Sequence, residues 1–273
     1  MRVFFVGDIV GRPGRSALAK ALPGLKKRFE GFDFIVVNCE NAASGKGMTE
    51  KIMDDFFALG VDGMTSGNHI WDKNIFYPTL ASETRVIRPA NYPPGSPGAG
   101  YTILERNGKK LGLLNLQGRV FMHQLDCPFR TADTALSELE KENHGQLLPV
   151  LVDFHAEATS EKKALALYLD GRVTVTVGTH THVQTADEQV LPGGSAYISD
   201  VGMTGGHGGV IGVSPESVLT RFISCLPAKH EVCDVDLRIN AVVIDIDETS
   251  GRAVDIVRVN EPVTNEPVSP GLS

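Results

Sequence analysis

Val61-Asp62-Gly63-Met64-Thr65-Ser66-Gly67-Asn68-His69-Ile70-Trp71-Asp72 decides how this chain is read. A largely apolar segment, residues 61–65, runs into a glycine. An amide and an imidazole follow at once. Successive side chains near a strand end point in different directions. Asn68 and His69 can therefore serve one cavity in different roles, one turned to a metal and the other to a substrate.

The same rhythm repeats on either side. Residues 2–7 form a buried first strand that ends at Asp8. Residues 15–30 have helical character, and Pro23-Gly24 predicts two short helices or one kinked helix. Residues 33–38 are a second strand, stopping at Cys39-Glu40-Asn41. Thr49 is a good N-cap for an amphipathic helix with Ile52, Phe56 and Leu59 at i, i+4 and i+7, closed by Gly60. Strand, polar loop, helix, strand means a parallel or mixed sheet with helices on its faces. Further on, Asn107-Gly108 between two apolar runs predicts a hairpin. Residues 131–143, 159–169 and 214–226 read as helices. The strand at 148–154 runs into His155, and the strand at 172–178 into His180-Thr181-His182. A short strand at 196–199 precedes a glycine-rich stretch, 202–212, and residues 232–247 and 254–260 are strand-like. No break in composition splits the chain, so one domain over 1–260 and a surface tail over 261–273 are expected.

The net charge of −7 over 273 residues argues against stable binding to nucleic-acid backbones, which needs clustered Lys and Arg. It leaves room for a small phosphate ester, because a bound metal supplies local positive charge. A hydrophobic fraction of 42% suits a protein with a full core. The four cysteines are widely spaced without Cys-x-x-Cys and read as reduced thiols. The N-terminal apolar run is too short for a signal peptide, and no stretch approaches a membrane span. A cytoplasmic location is expected.

Five strand ends carry a metal-competent residue: Asp8, Glu40, Asn68, His155 and the pair His180/His182. Ligands of open α/β sheets gather outside the carboxyl ends of strands. Carboxylates, imidazoles and an amide oxygen suit iron, manganese, zinc or nickel better than calcium, and the thiolates of a structural zinc site are missing. His-x-His at a strand end puts both rings on one side, so one ring can face each of two metals. Glu40 has two oxygens with which to bridge them. Two metals about 3.5–4 Å apart clamp the attacking and leaving oxygens of a phosphoryl displacement, and a bridging water becomes hydroxide near neutral pH. His69 is left over and can donate a proton to the leaving alkoxide, a contribution of about 10²–10⁴-fold.

In their order, Gly7-Asp8, an acidic residue after the second strand, Gly67-Asn68-His69, a lone His155 and Gly178-Thr179-His180-Thr181-His182 resemble the calcineurin-like metallophosphoesterases. Gly7-Asp8-Ile9-Val10-Gly11-Arg12, Asn38-Cys39-Glu40-Asn41 and Gly67-Asn68-His69-Ile70-Trp71-Asp72 resemble the YmdB-like branch. The resemblance covers nearly the whole chain. It implies a four-layer α-β-β-α sandwich with two mixed β-sheets, a dinuclear centre, and hydrolysis of 2′,3′-cyclic nucleotides and related phosphodiesters. The implied cofactors are two divalent transition-metal ions, iron or manganese ahead of zinc or nickel. The implied partner is a small phosphodiester, and a homo-oligomer is compatible with the resemblance. Three positions depart from the broad pattern. Val10 stands where Gly-Asp-x-His has its histidine, and Asn41 is the candidate replacement through its amide oxygen. Glu40 stands for the usual bridging aspartate. Ile70 stands where a carboxylate commonly follows Gly-Asn-His, leaving Asp72 to orient His69.

Plain alternatives exist for each residue. Asp8 can be a helix cap, Glu40 and Asn41 loop polarity, Asn68 a turn former, and His155 a core histidine. For the whole chain, the rivals are a metal-binding regulatory protein with weak or no catalysis, and a phosphomonoesterase or 5′-nucleotidase using the same metals. Their coincidence at five strand ends favours the di-metal phosphodiesterase.

Overall fold

The computed structural model describes residues 1–229 and 231–263; His230 and residues 264–273 of the expected tail lie outside the described residues. Strands β1 (Arg2–Val6) and β2 (Asp8–Ile9) precede helix α1 (Gly11–Arg28), followed by β3 (Phe34–Asn38), α2 (Glu50–Ala58) and β4 (Gly63–Thr65). A 3-10 turn (Asn74–Phe76) and α3 (Tyr77–Ser82) lead to β5 (Tyr101–Arg106) and β6 (Lys109–Gln117). Next come α4 (Pro128–Glu142), β7 (Val150–His155), α5 (Thr159–Leu169) and β8 (Val175–Thr179). The chain finishes with β9 (Gln189–Val190), β10 (Ala196–Ile198), β11 (Met203–Gly206), α6 (Pro215–Ser224), β12 (Leu237–Ile246) and β13 (Ala253–Pro262). The last strand thus runs two residues past position 260.

Local chemistry accounts for several of these boundaries. The Thr49 hydroxyl accepts from the Ile52 N–H and caps α2. Asn107 and Gly108 take φ of 51° and 76°, the left-handed pair that a type I′ hairpin turn needs. Helix α1 runs on through Pro23 as one helix. Leu18, Leu22 and Leu25 on either side of the proline pack into the core, which outweighs the one hydrogen bond that proline removes.

One sheet has the order β2-β11-β12-β1-β3-β4, with β13 also paired to β12; the other runs β5-β6-β7-β8-β10-β9. Both are mixed: β1, β3 and β4 are parallel with β12 antiparallel, and β6, β7, β8 and β10 are parallel with β5 and β9 antiparallel. The period-2 alternation of β1 separates the layers. Val3 and Phe5 join Leu113, Leu151 and Val177 between the sheets. Phe4 and Val6 face the opposite way, into a cluster with Leu18 of α1 and Phe56 of α2. On the far side Val152 and Phe154 share a cluster with Leu139 of α4 and Leu165 of α5. The result is the four-layer α-β-β-α sandwich. No described helix is long and apolar enough to cross a membrane.

Candidate metal centre

The carboxyl ends of β3, β4, β7 and β8 converge where the two sheets meet, and Asp8 reaches the same place from β2. His155 Nε2 lies 3.2 Å from Glu40 Oε1, 3.1 Å from Asn68 Oδ1 and 3.0 Å from His180 Nδ1. Ligand atoms of Glu40, His155 and His180 all fall within 4.8 Å of one another. A second group adjoins the first. His182 Nε2 is 3.9 Å from Asp8 Oδ1 and 3.2 Å from Asn41 Nδ2. Asn41 Nδ2 also donates to Glu40 Oε1 at 3.2 Å, so Glu40 touches both groups. The Asn41 amide therefore presents its nitrogen here, and half a turn about its last torsion exchanges nitrogen for oxygen.

Each histidine spends its other ring nitrogen on an outer partner. His155 Nδ1 meets Thr179 Oγ1 at 2.9 Å, His180 Nε2 meets Glu157 at 3.2 Å, and His182 Nδ1 donates to the Ile211 carbonyl at 2.9 Å. The Thr179 hydroxyl donates to Asp153 at 2.8 Å, so it accepts from His155. Such partners fix the tautomers and leave Nε2, Nδ1 and Nε2 bare on the inner side, the form in which imidazole binds a cation. Asp8 adds a further sign. Its Oδ2 accepts the His180 N–H at 3.1 Å, but its Oδ1 is buried with no hydrogen-bond partner among the described residues. A buried carboxylate oxygen left alone is costly, and a cation satisfies it. The field agrees. Burial lowers the pKa of His155, yet Glu40 and Asp8 outweigh it and raise the group to about 9, so without a cation Nε2 carries a proton near neutral pH, in the place a bound cation would take. His180, desolvated and beside His155, is lowered to about 3 and stays neutral. The donor set thus fits a cation.

Backbone constraints explain the motif residues that carry no ligand. A Cβ on Gly67 would come within 2.3 Å of His155 Nε2 and 2.4 Å of Glu40 Oε2. Gly67→Ala is accordingly expected to displace both groups and strip the protein of metal, and elemental analysis of that variant checks it. His180 and His182 both take left-handed backbone, with φ of 99° and 66°, which is strained for residues with a Cβ. Two carboxylates hold that turn. Asp8 takes the His180 N–H, and Asp200 takes the Thr181 N–H at 3.1 Å. Asp200 is itself fixed by Lys162 at 2.6 Å, each side chain 1% exposed.

His69 Nδ1 lies 2.9 Å from Asp72 Oδ2, so the carboxylate that Ile70 lacks comes from two residues further on. Ile70 is buried in the core. The main-chain N–H of His69 donates to Glu40 Oε2 at 2.8 Å. His69, Glu40, His180 and His182 line one cavity of about 830 Å³. Ile211, from the glycine-rich stretch, and Val218 and Phe222 of α6 form its outer wall, and no residue of α6 is buried. Arg12 lines a neighbouring hollow instead.

A family model described as YmdB-like protein matches residues 4–259. The chain belongs to the YmdB-like family. It is 46% identical over 259 residues to a Bacillus subtilis (strain 168) protein named 2′,3′-cyclic-nucleotide 2′-phosphodiesterase, covering 95% of this chain and 96% of that one. A crystal structure of a hypothetical protein from Thermus thermophilus superposes with a TM-score of 0.88 at 42% identity, over 97% of this chain and 100% of the other. A putative 5′-nucleotidase from Staphylococcus aureus superposes at 0.58 with 15% identity, over 97% of this chain and 55% of that one. This last likeness shows the fold alone.

The YmdB-like chain also holds residues at its site that sequence reasoning missed: Asp153, Glu157, Lys162, Thr179 and Asp200. Asp153 is fully buried. Burial pushes its carboxyl up to about 7, against hydrogen bonding from Thr65 and the nearby His155.

Proposed function

We propose that this YmdB-like chain, a hydrolytic phosphoesterase by its relatives, is a di-metal phosphodiesterase of 2′,3′-cyclic nucleotides and related phosphodiesters. The observation that carries the reading is the inward convergence of three imidazole nitrogens, each with its outer nitrogen engaged. Glu40, Asn68, His155 and His180 would hold one ion, and Asp8, Glu40, Asn41 and His182 the other. Two transition-metal ions, iron or manganese first, would polarise the phosphoryl oxygens and offset their charge. The chain supplies the rest. The His69 main chain orients Glu40, and Asp72 orients the His69 ring. His69 holds a proton at Nε2 for the leaving oxygen. The cavity is far larger than a phosphate group and suits an organic ester of drug-like size, by the usual range of about 300–1,000 Å³. A homo-oligomeric state, on the resemblance, and a cytoplasmic location belong to the same proposal.

Elemental analysis of the purified protein, paired with rates on cyclic diesters, linear diesters and monoesters, tests it. About two metal ions per chain and a preference for diesters are expected. Metal without turnover on any ester would favour the regulatory reading, and faster monoester hydrolysis the nucleotidase reading.

A further inference from the structure

We infer that Asp153 is a positioning residue that holds together one half of the proposed centre, the half formed by Glu40, Asn68, His155 and His180. The inference rests on the metal reading above. Asp153 lies on β7 and is fully buried. Its Oδ2 accepts from the Thr65 hydroxyl at 2.5 Å and from Asn38 Nδ2 at 3.0 Å, while Oδ1 accepts from the Thr179 hydroxyl at 2.8 Å. Asn38 and Thr65 end β3 and β4 in one sheet; Asp153 and Thr179 belong to β7 and β8 in the other. One carboxylate therefore ties four strand ends across the two sheets.

These four residues stand just upstream of the four ligands: Asn38 before Glu40, Thr65 before Asn68, Asp153 before His155, and Thr179 before His180. The link continues into the ligands themselves. Asn38 Oδ1 accepts the Glu40 N–H at 3.2 Å, and Thr179 Oγ1 meets His155 Nδ1 at 2.9 Å. Asn115 repeats the crossing one step away, accepting the Ser66 N–H at 3.0 Å and donating to the Asp153 carbonyl at 3.1 Å.

The physical need is directional. The apolar packing between the sheets is non-directional. A ligand set must hold its geometry to within about 0.5 Å. Three hydrogen bonds from both sheets to one carboxylate set the relative position of the strand ends. Asp8 and His182 bond to none of Asn38, Thr65, Asp153 or Thr179: Asp8 takes the His180 N–H, and His182 meets the Ile211 carbonyl and Asn41. Loss of Asp153's bonds should thus weaken one metal site strongly and the other only slightly, through the shared Glu40.

Calorimetric titration of metal-stripped protein with Mn²⁺ tests this. The wild type should take up two ions. Asp153→Asn and Thr179→Val should each weaken one ion by about 10–100-fold, as loss of an outer partner typically does, and the other far less. In a His182→Ala background, which keeps only the Asp153-backed site, Thr179→Val should weaken the single remaining ion. Thermal melts of the metal-stripped variants establish that they are folded; if Asp153→Asn is not, Thr179→Val and Thr65→Val carry the test. Two unchanged binding steps in folded variants would overturn the inference. So would equal weakening of both ions, which is what a merely structural residue would give. A wild type that takes up no Mn²⁺ would overturn the metal reading and this inference together.

Discussion

Lys162→Met should lower the stability of the protein by about 3–5 kcal/mol, the usual cost of stranding one partner of a buried ion pair. Lys162 and Asp200 are each 1% exposed and 2.6 Å apart. With the ammonium gone, the Asp200 carboxylate keeps only main-chain donors, the Thr181 and Gly202 N–H groups. At about 2–4 °C per kcal/mol for chains of this size, the melting temperature should fall by roughly 10 °C. Adding Asp200→Asn removes the stranded charge and keeps an oxygen for Thr181. The double variant should therefore recover most of the loss, since a buried pair contributes little beyond its neutral replacement. Thermal melts of both variants decide the matter: a single variant as stable as the wild type would mean that the pair is not what holds the His180–His182 turn.

His69→Ala should slow turnover by about 10²–10⁴-fold, the range for removal of a general acid, which corresponds to about 3–5 kcal/mol of barrier. Metal content should stay at the wild-type level. Glu40 is held by the main-chain N–H of residue 69, which alanine retains, and not by the ring. The loss should shrink on an aryl diester, whose leaving group departs without a proton. Single-turnover rates on an alkyl and an aryl ester, with metal analysis of the same sample, test the assignment. Metal loss in the variant, or equal slowing of both esters, would rule out acid catalysis by His69.

Much of this site was legible because its residues follow strands. Asp8, Glu40, Asn68, His155, His180 and His182 each end an apolar run, and a run of known direction places its last residue. The Asn107-Gly108 hairpin and the Thr49 cap were readable for the same reason: the signal is local. Residues that act across the sheets had no such signature. Asp153 offered one hint, a carboxylate inside the apolar run 148–154, where a charge needs partners. Its partners Asn38, Thr65 and Thr179 are scattered over three other strands, so nothing in the spacing joined them. Lys162 looked like any lysine on a helix, and its burial depends on β10 delivering Asp200 beneath it. Pro23 left open two short helices or one kinked helix, and the structure has one, with Leu22 and Leu25 on either side of it packed in the core. The role of Asp72 was open in the sequence, since an i,i+3 pair forms only if the loop turns there.

Helix α6 sets up an evolutionary division of labour. The inner wall of the cavity carries Glu40, His180 and His182, the residues proposed to hold the ions. The outer wall stands on a helix with no buried residue, where an exchange at Val218 or Phe222 reshapes the mouth without disturbing the core. A library confined to α6 is therefore the economical place to retune selectivity.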